Sequence, residues 1–162
     1  MKGINTRNKI YLAYGSNLNM EQMKYRCPYA IPLGLSVLLG FRLLFRGGKE
    51  CAVATVEPYD GGSVPALLWE ITPRDEEALD RYEGWPRLNR KKTVTVAFAG
   101  KHMEVMAYIM NDGYLLGLPS QYYLNVILEG YNSADFNYSV IEEALEVSVC
   151  NGFQHANSLK LG

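Results

Sequence analysis

Two stretches of the sequence combine residue types that can carry out chemistry. The first follows a short apolar run and reads Tyr14-Gly15-Ser16-Asn17-Leu18. Glycine lets a ligand approach the backbone, successive N–H groups in such a turn form a concave nest that suits a carboxylate, and Ser16 and Asn17 add side-chain donors. The pattern predicts an anion-binding turn. The same residues also fit a plain strand-to-helix turn in which Ser16 or Asn17 caps the following helix.

The second stretch is LDRYEGWP, residues 79–86, in which Glu83 stands at the predicted C-terminal end of a helix. The helix dipole disfavours a negative charge at that end, and the aromatic neighbours Tyr82 and Trp85 reduce solvation. Both effects are expected to raise the pKa of the Glu83 carboxyl toward the range useful for proton transfer. The alternative is an ordinary surface glutamate, exposed or paired with Arg81 or Arg87.

Tyrosine supplies further candidates, since the chain has twelve. Tyr122 and Tyr123 open a predicted helix after Pro119 and Ser120, where one can place its hydroxyl in a pocket while the other packs in the core. Both also fit a purely structural role.

The sequence predicts neither a metal site nor an organic cofactor. The three cysteines and two histidines lie far apart, without CxxC spacing, and neither a GxGxxG nor a GxxxxGK[ST] run occurs. The scattered cysteines also argue against a disulfide framework. The histidines form no persuasive Ser/His/Asp set, and Cys27 has no evident basic partner that would activate it as a nucleophile.

Charge and length limit the classes of partner. The chain has 162 residues, with 16 basic and 17 acidic side chains, so no electrostatic footprint for nucleic acid stands out. No long apolar run predicts a signal peptide or a membrane span, and a cytoplasmic location is expected. The basic cluster at residues 87–92 fits a solvated loop and strand start, or else a patch that attracts an anionic substrate.

The elements that must position these residues follow one another as strands, a helix, more strands and two helices. A strand is predicted at residues 10–14, a short helix at 19–26, and one bent strand or two strands at 30–45. A hairpin is predicted from 52–57 and 64–71 around Asp60-Gly61, and another from 93–98 and 105–110. The helices are predicted from Thr72 to Gly84, from Ser120 to about Gly130 and from Asn137 to about Ser148, with a peripheral tail.

This order favours an α+β fold whose mostly antiparallel sheet closes into a small barrel. No repeat or linker interrupts the chain, so a single domain over residues 1–162 is expected, with a core at about residues 10–148.

The motifs together resemble the γ-glutamyl cyclotransferase-like family, which includes the AIG2-like proteins. The matching stretches are YLAYGSNL at residues 11–18, LWEI at 68–71, LDRYEG at 79–84 and PSQYY at 119–123. The resemblance implies a small mixed barrel with flanking helices. It also implies an enzyme that cyclises a γ-glutamyl amine or peptide to 5-oxoproline and releases the amine, with Glu83 as proton shuttle. The glutamyl head is then expected at Gly15, Ser16 and Asn17, beside a Tyr123 hydroxyl.

One position departs from the pattern. Many bacterial relatives carry tyrosine where this chain has Asn89, in a pattern like EGxPxxY, and its loss alters the pocket wall. Three hypotheses follow: a cyclotransferase acting on a small anionic γ-glutamyl substrate, a non-catalytic protein that binds a metabolite or nucleotide-like signal in the same pocket, and a regulatory protein that presents an interaction surface. The sequence leaves the oligomeric state open.

Overall fold

Five strands of the described part of the chain form a closed barrel in the order β1-β3-β2-β4-β5. The computed structural model describes the backbone of residues 7–161 and the side chains of residues 7–151. Neighbouring strands are antiparallel, except that β1 and β5 pair in parallel at Tyr11 and Met106. The strands are β1 Lys9–Ala13, β2 Ile31–Gly47, β3 Ala52–Ile71, β4 Asn89–Phe98 and β5 Lys101–Met110. The predicted α+β fold with a mostly antiparallel barrel is thus confirmed.

Four helices flank the barrel within the described residues: α1 Met20–Arg26, α2 Pro73–Tyr82, α3 Gln121–Ser133 and α4 Ser139–Leu161. The helix α2 begins directly after Thr72, as the sequence predicts, and Thr72 is its N-cap. The Thr72 hydroxyl accepts a hydrogen bond from the Asp75 N–H at 3.2 Å, and the Asp75 carboxylate accepts one from the Thr72 N–H at 3.0 Å. None of the described helices is long and apolar enough to cross a membrane.

The first predicted hairpin is wrong. Residues 52–57 and 64–71 both belong to β3, and both pair with the single bent strand β2 rather than with each other. Leu39 of β2 lies opposite Ser63 and Phe41 opposite Pro58, so residues 59–62 are an insertion in β3. Asp60-Gly61 supplies a turn-like backbone, with Gly61 at φ +77°, but the flanking apolar runs find their partners on β2. The second predicted hairpin, β4 with β5, is confirmed.

The last helix is longer than predicted. We expected α4 to end at about Ser148, but its backbone continues to Leu161. An isolated glycine such as Gly152 lowers helix stability by about 1 kcal/mol relative to alanine, yet it does not by itself end a helix. The side chains of the predicted peripheral tail lie outside the described residues.

The barrel interior is apolar and brings three chain segments to one end. Fully buried side chains fill it, among them Leu12, Leu38, Phe45, Leu68 and Val96. At one end of this core lie the turn after β1, the C-terminal end of α2 and the N-terminal end of α3, whose residues line a common cavity. The predicted site residues lie in these three segments.

Candidate functional site

A cavity of about 190 Å³ lies at this end of the barrel. Of the seven residues predicted for the site, six line the cavity and Leu18 does not, because its side chain is buried against Gly130 of α3. The six are Tyr14, Gly15, Ser16, Asn17, Glu83 and Tyr123. The full set of lining residues is Tyr11, Tyr14, Gly15, Ser16, Asn17, Val53, Ala54, Tyr82, Glu83, Leu88, Asn89, Tyr108 and Tyr123.

The turn after β1 presents unused backbone donors. Residues Ser16–Leu18 form one 3-10 turn, closed by a hydrogen bond of 3.1 Å from the Leu18 N–H to the Gly15 carbonyl. No described residue accepts a hydrogen bond from the N–H groups of Gly15, Ser16 or Asn17. The first N–H groups of a helical turn lack an internal acceptor, so they are available to a ligand in the cavity.

Gly15 allows two neighbouring groups to pack closely against the turn. A Cβ atom added at Gly15 would lie 3.3 Å from the Ala54 Cβ and 3.5 Å from the Tyr123 hydroxyl. That hydroxyl accepts a hydrogen bond of 3.0 Å from the Ala54 N–H, which leaves its own proton for a ligand. Tyr123 is positioned by the N-cap of α3, where the Ser120 hydroxyl accepts a hydrogen bond from the Tyr123 N–H at 3.2 Å. Tyr122, its neighbour, is exposed to solvent and packs in no core.

The polar side chains of the turn bind other walls of the cavity. The Ser16 hydroxyl lies 2.7 Å from the Tyr82 hydroxyl, and Asn17 Nδ2 donates to the Tyr11 hydroxyl at 3.0 Å. Asn17 Oδ1 accepts a hydrogen bond from the Arg26 guanidinium. That guanidinium also stacks on the Tyr82 ring, with its carbon 3.3 Å from the ring centroid. One network therefore joins β1, α1 and the end of α2.

Glu83 is the C-cap of α2 and the only acidic residue among those that line the cavity within the described residues. Burial raises the pKa of its carboxyl to about 7, and the nearby positive charge of Arg26 offsets part of this effect. The direction agrees with the expectation, and burial is the dominant cause. Trp85, expected to contribute, is instead half exposed and stacks on the Lys91 ammonium at 4.2 Å. No described ion pair joins Glu83 to Arg81 or Arg87.

The surrounding tyrosines remain protonated at neutral pH. Burial raises the pKa values of Tyr11 and Tyr14 well above normal, and the Glu83 charge raises them further. Tyr123 behaves similarly: burial, partly offset by the hydrogen bond from Ala54, raises its pKa. The cavity thus combines one carboxyl group poised between its two protonation states with neutral hydroxyls and free N–H donors, a combination suited to moving a proton on a bound anionic substrate.

The sequence profile of the family described as "Gamma-glutamyl cyclotransferase, AIG2-like" matches residues 11–130. The chain belongs to this family.

Relatives named "Gamma-glutamylcyclotransferase" share this similarity. The bovine one is 31% identical over 130 residues and the human one 29% over 131 residues; each match covers 75% of this chain and 69% of the relative. A solved structure named "Gamma-glutamyl cyclotransferase" superposes with a TM-score of 0.75 at 25% identity, covering 85% of this chain and 86% of the other.

The cyclotransferase-family pocket in this chain and the hydrogen-bond network beside it include residues that the sequence did not predict for the site. Tyr82 and Arg26 adjoin motif residues in sequence or space, and Asn89 stood out as a departure from relatives. The Asn89 side chain is buried and donates to Glu83. Tyr11 and Tyr108 gave no signal of their own, because an apolar strand pattern does not distinguish a cavity wall from a core contact. Among the described residues, no group of three or more His, Cys, Asp or Glu side chains comes together to hold a metal ion.

Proposed function

We propose that this protein is a γ-glutamyl cyclotransferase that converts a γ-glutamyl amine or peptide to 5-oxoproline and releases the free amine. The observation that carries the proposal is the shared cavity. In it the Glu83 carboxyl, with a pKa of about 7, lines the same space as the free N–H groups of the Gly15 turn. Family membership supports the reaction class.

The reaction needs a group that first takes a proton and then gives it back. The substrate α-amine loses a proton to the Glu83 carboxylate and forms a bond to the γ-carbonyl carbon. The carbonyl oxygen gains negative charge, which N–H or hydroxyl donors stabilise. As the bond from the γ-carbon to the leaving nitrogen breaks, the protonated Glu83 returns its proton to that nitrogen. A carboxyl with a pKa near neutrality is suited to both transfers.

The remaining lining residues are proposed to bind the glutamyl head. The N–H groups of Gly15, Ser16 and Asn17 are the donors for its carboxylate, and Tyr123 supplies a hydroxyl with a free proton. Tyr14 forms part of the wall, since its own hydroxyl donates to the Tyr108 carbonyl. Leu18, predicted from the sequence as a binding residue, supports the turn from outside the cavity and is left out of this assignment.

The contacts of the basic cluster at residues 87–92 argue against a signal-binding pocket lined by cations, and so support the catalytic proposal. Lys91 forms ion pairs with Glu76 and Asp80, and Arg90 donates to the Met110 carbonyl. No Lys or Arg is among the described residues that line the cavity. Arg90 and Lys91 therefore stabilise the fold, and selection for the negative charge of the substrate is assigned to the turn after β1.

We further propose a single domain over residues 1–162, with its core at about residues 10–148, and a cytoplasmic protein that needs no metal or organic cofactor. Cys27, Cys51 and Cys150 are free thiols, which suits a reducing compartment.

The test is 5-oxoproline release from a panel of γ-glutamyl amines and peptides. We expect Glu83→Gln to lower kcat by about 10²–10⁴-fold while calorimetry shows that a non-cyclisable γ-glutamyl analogue still binds. Glu77→Gln is the matched control, because Glu77 lies on the same helix and is exposed. Equal activity of the wild type and Glu83→Gln would refute the assignment. A wild type that binds the analogue in this cavity but releases no product would identify a binding protein instead.

A further inference from the structure

Asn89, the first residue of β4, has a buried amide side chain whose Nδ2 donates hydrogen bonds only to Glu83 among the described residues. Its Nδ2 donates to the Glu83 main-chain carbonyl at 2.7 Å and to Glu83 Oε2 at 3.1 Å. The side chain is only 4% exposed, and it also lines the cavity. One amide group therefore binds both the backbone and the carboxylate of the same residue.

The position of Glu83 in the helix explains why two bonds are possible. The last carbonyl groups of a helix have no intrahelical donor, and Glu83 is the C-cap of α2. The carbonyl bond fixes the backbone of the C-cap relative to β4. The second bond then restricts a side chain that is otherwise free to occupy several rotamers. No described donor binds Glu83 Oε1, so this oxygen remains for proton transfer.

We propose that Asn89 is a positioning residue, which holds Glu83 through Oε2 so that Oε1 exchanges a proton with the substrate in one fixed geometry. The role of Asn89 in proton transfer rests on the proposed cyclotransferase function. The contact between Asn89 and Glu83 is independent of that proposal.

Most of the other groups around the Glu83 carboxylate are uncharged at neutral pH. Tyr11 and Tyr14 from the β1 segment and Tyr123 from α3 are neutral at physiological pH, because burial and the Glu83 charge raise their pKa values. The Tyr108 hydroxyl of β5 donates to Asp80 instead. Arg26 of α1 supplies the positive charge that favours the ionised form. Asn89 adds a hydrogen bond that favours the same form.

Loss of the amide donor is therefore expected to raise the pKa of Glu83 further. In Asn89→Leu we expect a rise of about one unit, because a hydrogen bond to a charged group corresponds to roughly that shift. In Asn89→Asp, which keeps the shape but places a second carboxylate beside Glu83, the rise should be larger. The acidic limb of the kcat/KM profile should move to higher pH in the same order, with kcat lowered about tenfold.

Asn111 provides a matched control. Its amide donates to the carbonyls of Pro86 and Arg87 at 2.8 and 2.9 Å, so it binds the same connection between α2 and β4 without touching Glu83. Asn111→Ala should loosen this connection and leave the pKa of Glu83 unchanged.

The decisive measurement is an NMR titration of ¹³C-labelled glutamate carboxyl groups in the free protein, where the Glu83 signal is the one lost in Glu83→Gln. A Glu83 titration in Asn89→Leu and Asn89→Asp that matches the wild type would overturn the inference. If Asn89→Leu fails to fold, the nearly isosteric Asn89→Asp decides alone. If the wild type turns over no γ-glutamyl compound but both Asn89 variants raise the pKa of Glu83, the positioning role stands and the cyclotransferase proposal fails.

Discussion

The hydroxyl of Tyr82 lies 2.7 Å from Oγ of Ser16, so the last residue of α2 is bonded to the turn that follows β1. This contact joins the segment that carries Glu83 to the segment that carries the free N–H donors. Any ligand held by one segment is thereby placed at a fixed distance from the other. Although the Tyr82 side chain is partly exposed, we therefore expect the loss of this bond to affect the site.

Tyr82→Phe should separate the two segments slightly while keeping the aromatic ring under Arg26. A neutral hydrogen bond contributes about 1 kcal/mol, so we expect kcat/KM for 5-oxoproline release to fall about fivefold and stability to fall by a similar free energy. Tyr122→Phe is the control, since that hydroxyl is on an exposed side chain of α3. Equal kinetics for the two variants would show that the bond does not align the site.

Arg26 should set the lower end of the active pH range. Its positive charge lowers the pKa of Glu83, so Arg26→Met is expected to raise that pKa above 7 and to move the acidic limb of kcat/KM to higher pH. Arg26→Lys keeps the charge but loses the planar stack on Tyr82, so it should retain more of the wild-type profile. Arg81→Met serves as the reference for removing a neighbouring cation. An acidic limb that stays in place in Arg26→Met would contradict the electrostatic role.

The raised pKa of Glu83 should cost stability at neutral and alkaline pH. The carboxyl has a pKa of about 7 in the folded protein against an ordinary value of 4.5, so the folded state retains a proton that the unfolded chain releases between these values. The free energy of unfolding therefore falls as the pH rises through this window. Glu83→Gln cannot ionise, and we expect it to be more stable than the wild type by up to about 3 kcal/mol near pH 8.

That advantage should vanish near pH 4, where Glu83 is neutral in both states. Denaturant unfolding at several pH values measures the difference, and Glu77→Gln on the exposed face of α2 should show no comparable gain. Wild type and Glu83→Gln with the same pH dependence of stability would show that Glu83 titrates normally.

Gly15→Ala should narrow the cavity between the turn after β1 and its neighbours Ala54 and Tyr123. The new Cβ would lie 3.3 Å from the Ala54 Cβ and 3.5 Å from the Tyr123 hydroxyl. We expect at least a tenfold rise in KM, with a smaller change in melting temperature. Removing the Ala54 methyl group in Gly15→Ala/Ala54→Gly should restore part of the affinity, and the double-mutant cycle measures that coupling. A double variant no better than Gly15→Ala would place the loss elsewhere, for instance at the Tyr123 hydroxyl.

The sequence predicted correctly those parts of the fold that depend on contacts between residues close together in the chain. Thr72 and Asp75 are three residues apart and bond to each other, so their helix start was visible in the sequence. The hairpin around Asp60-Gly61 was not predictable in the same way. A turn motif indicates only that the backbone can reverse direction. The partner strand depends on β2, which lies earlier in the sequence and pairs with both segments.

The candidate site likewise contains residues that the local sequence predicts and residues that only the structure identifies. Glu83 and the Gly15 turn have residue types and local settings that point to chemistry. Arg26, Tyr82 and Asn89 acquire their roles only from contacts across elements, and no spacing rule predicts that an amide at the start of β4 meets the carboxylate at the end of α2. Asn89 drew attention as an exception to the pattern of relatives, while the nature of its contact required the structure.

The order of strands in the barrel has a consequence for synthesis of the chain. β1 emerges first, yet both of its neighbours, β3 and β5, are made later. The hairpin of β2 and β3 can pair once Ile71 has left the ribosome, but the barrel cannot close before β5, and the cavity also needs Tyr123. A nascent chain therefore lacks the complete cavity until Tyr123 has left the ribosome, and only then can a ligand stabilise the full site.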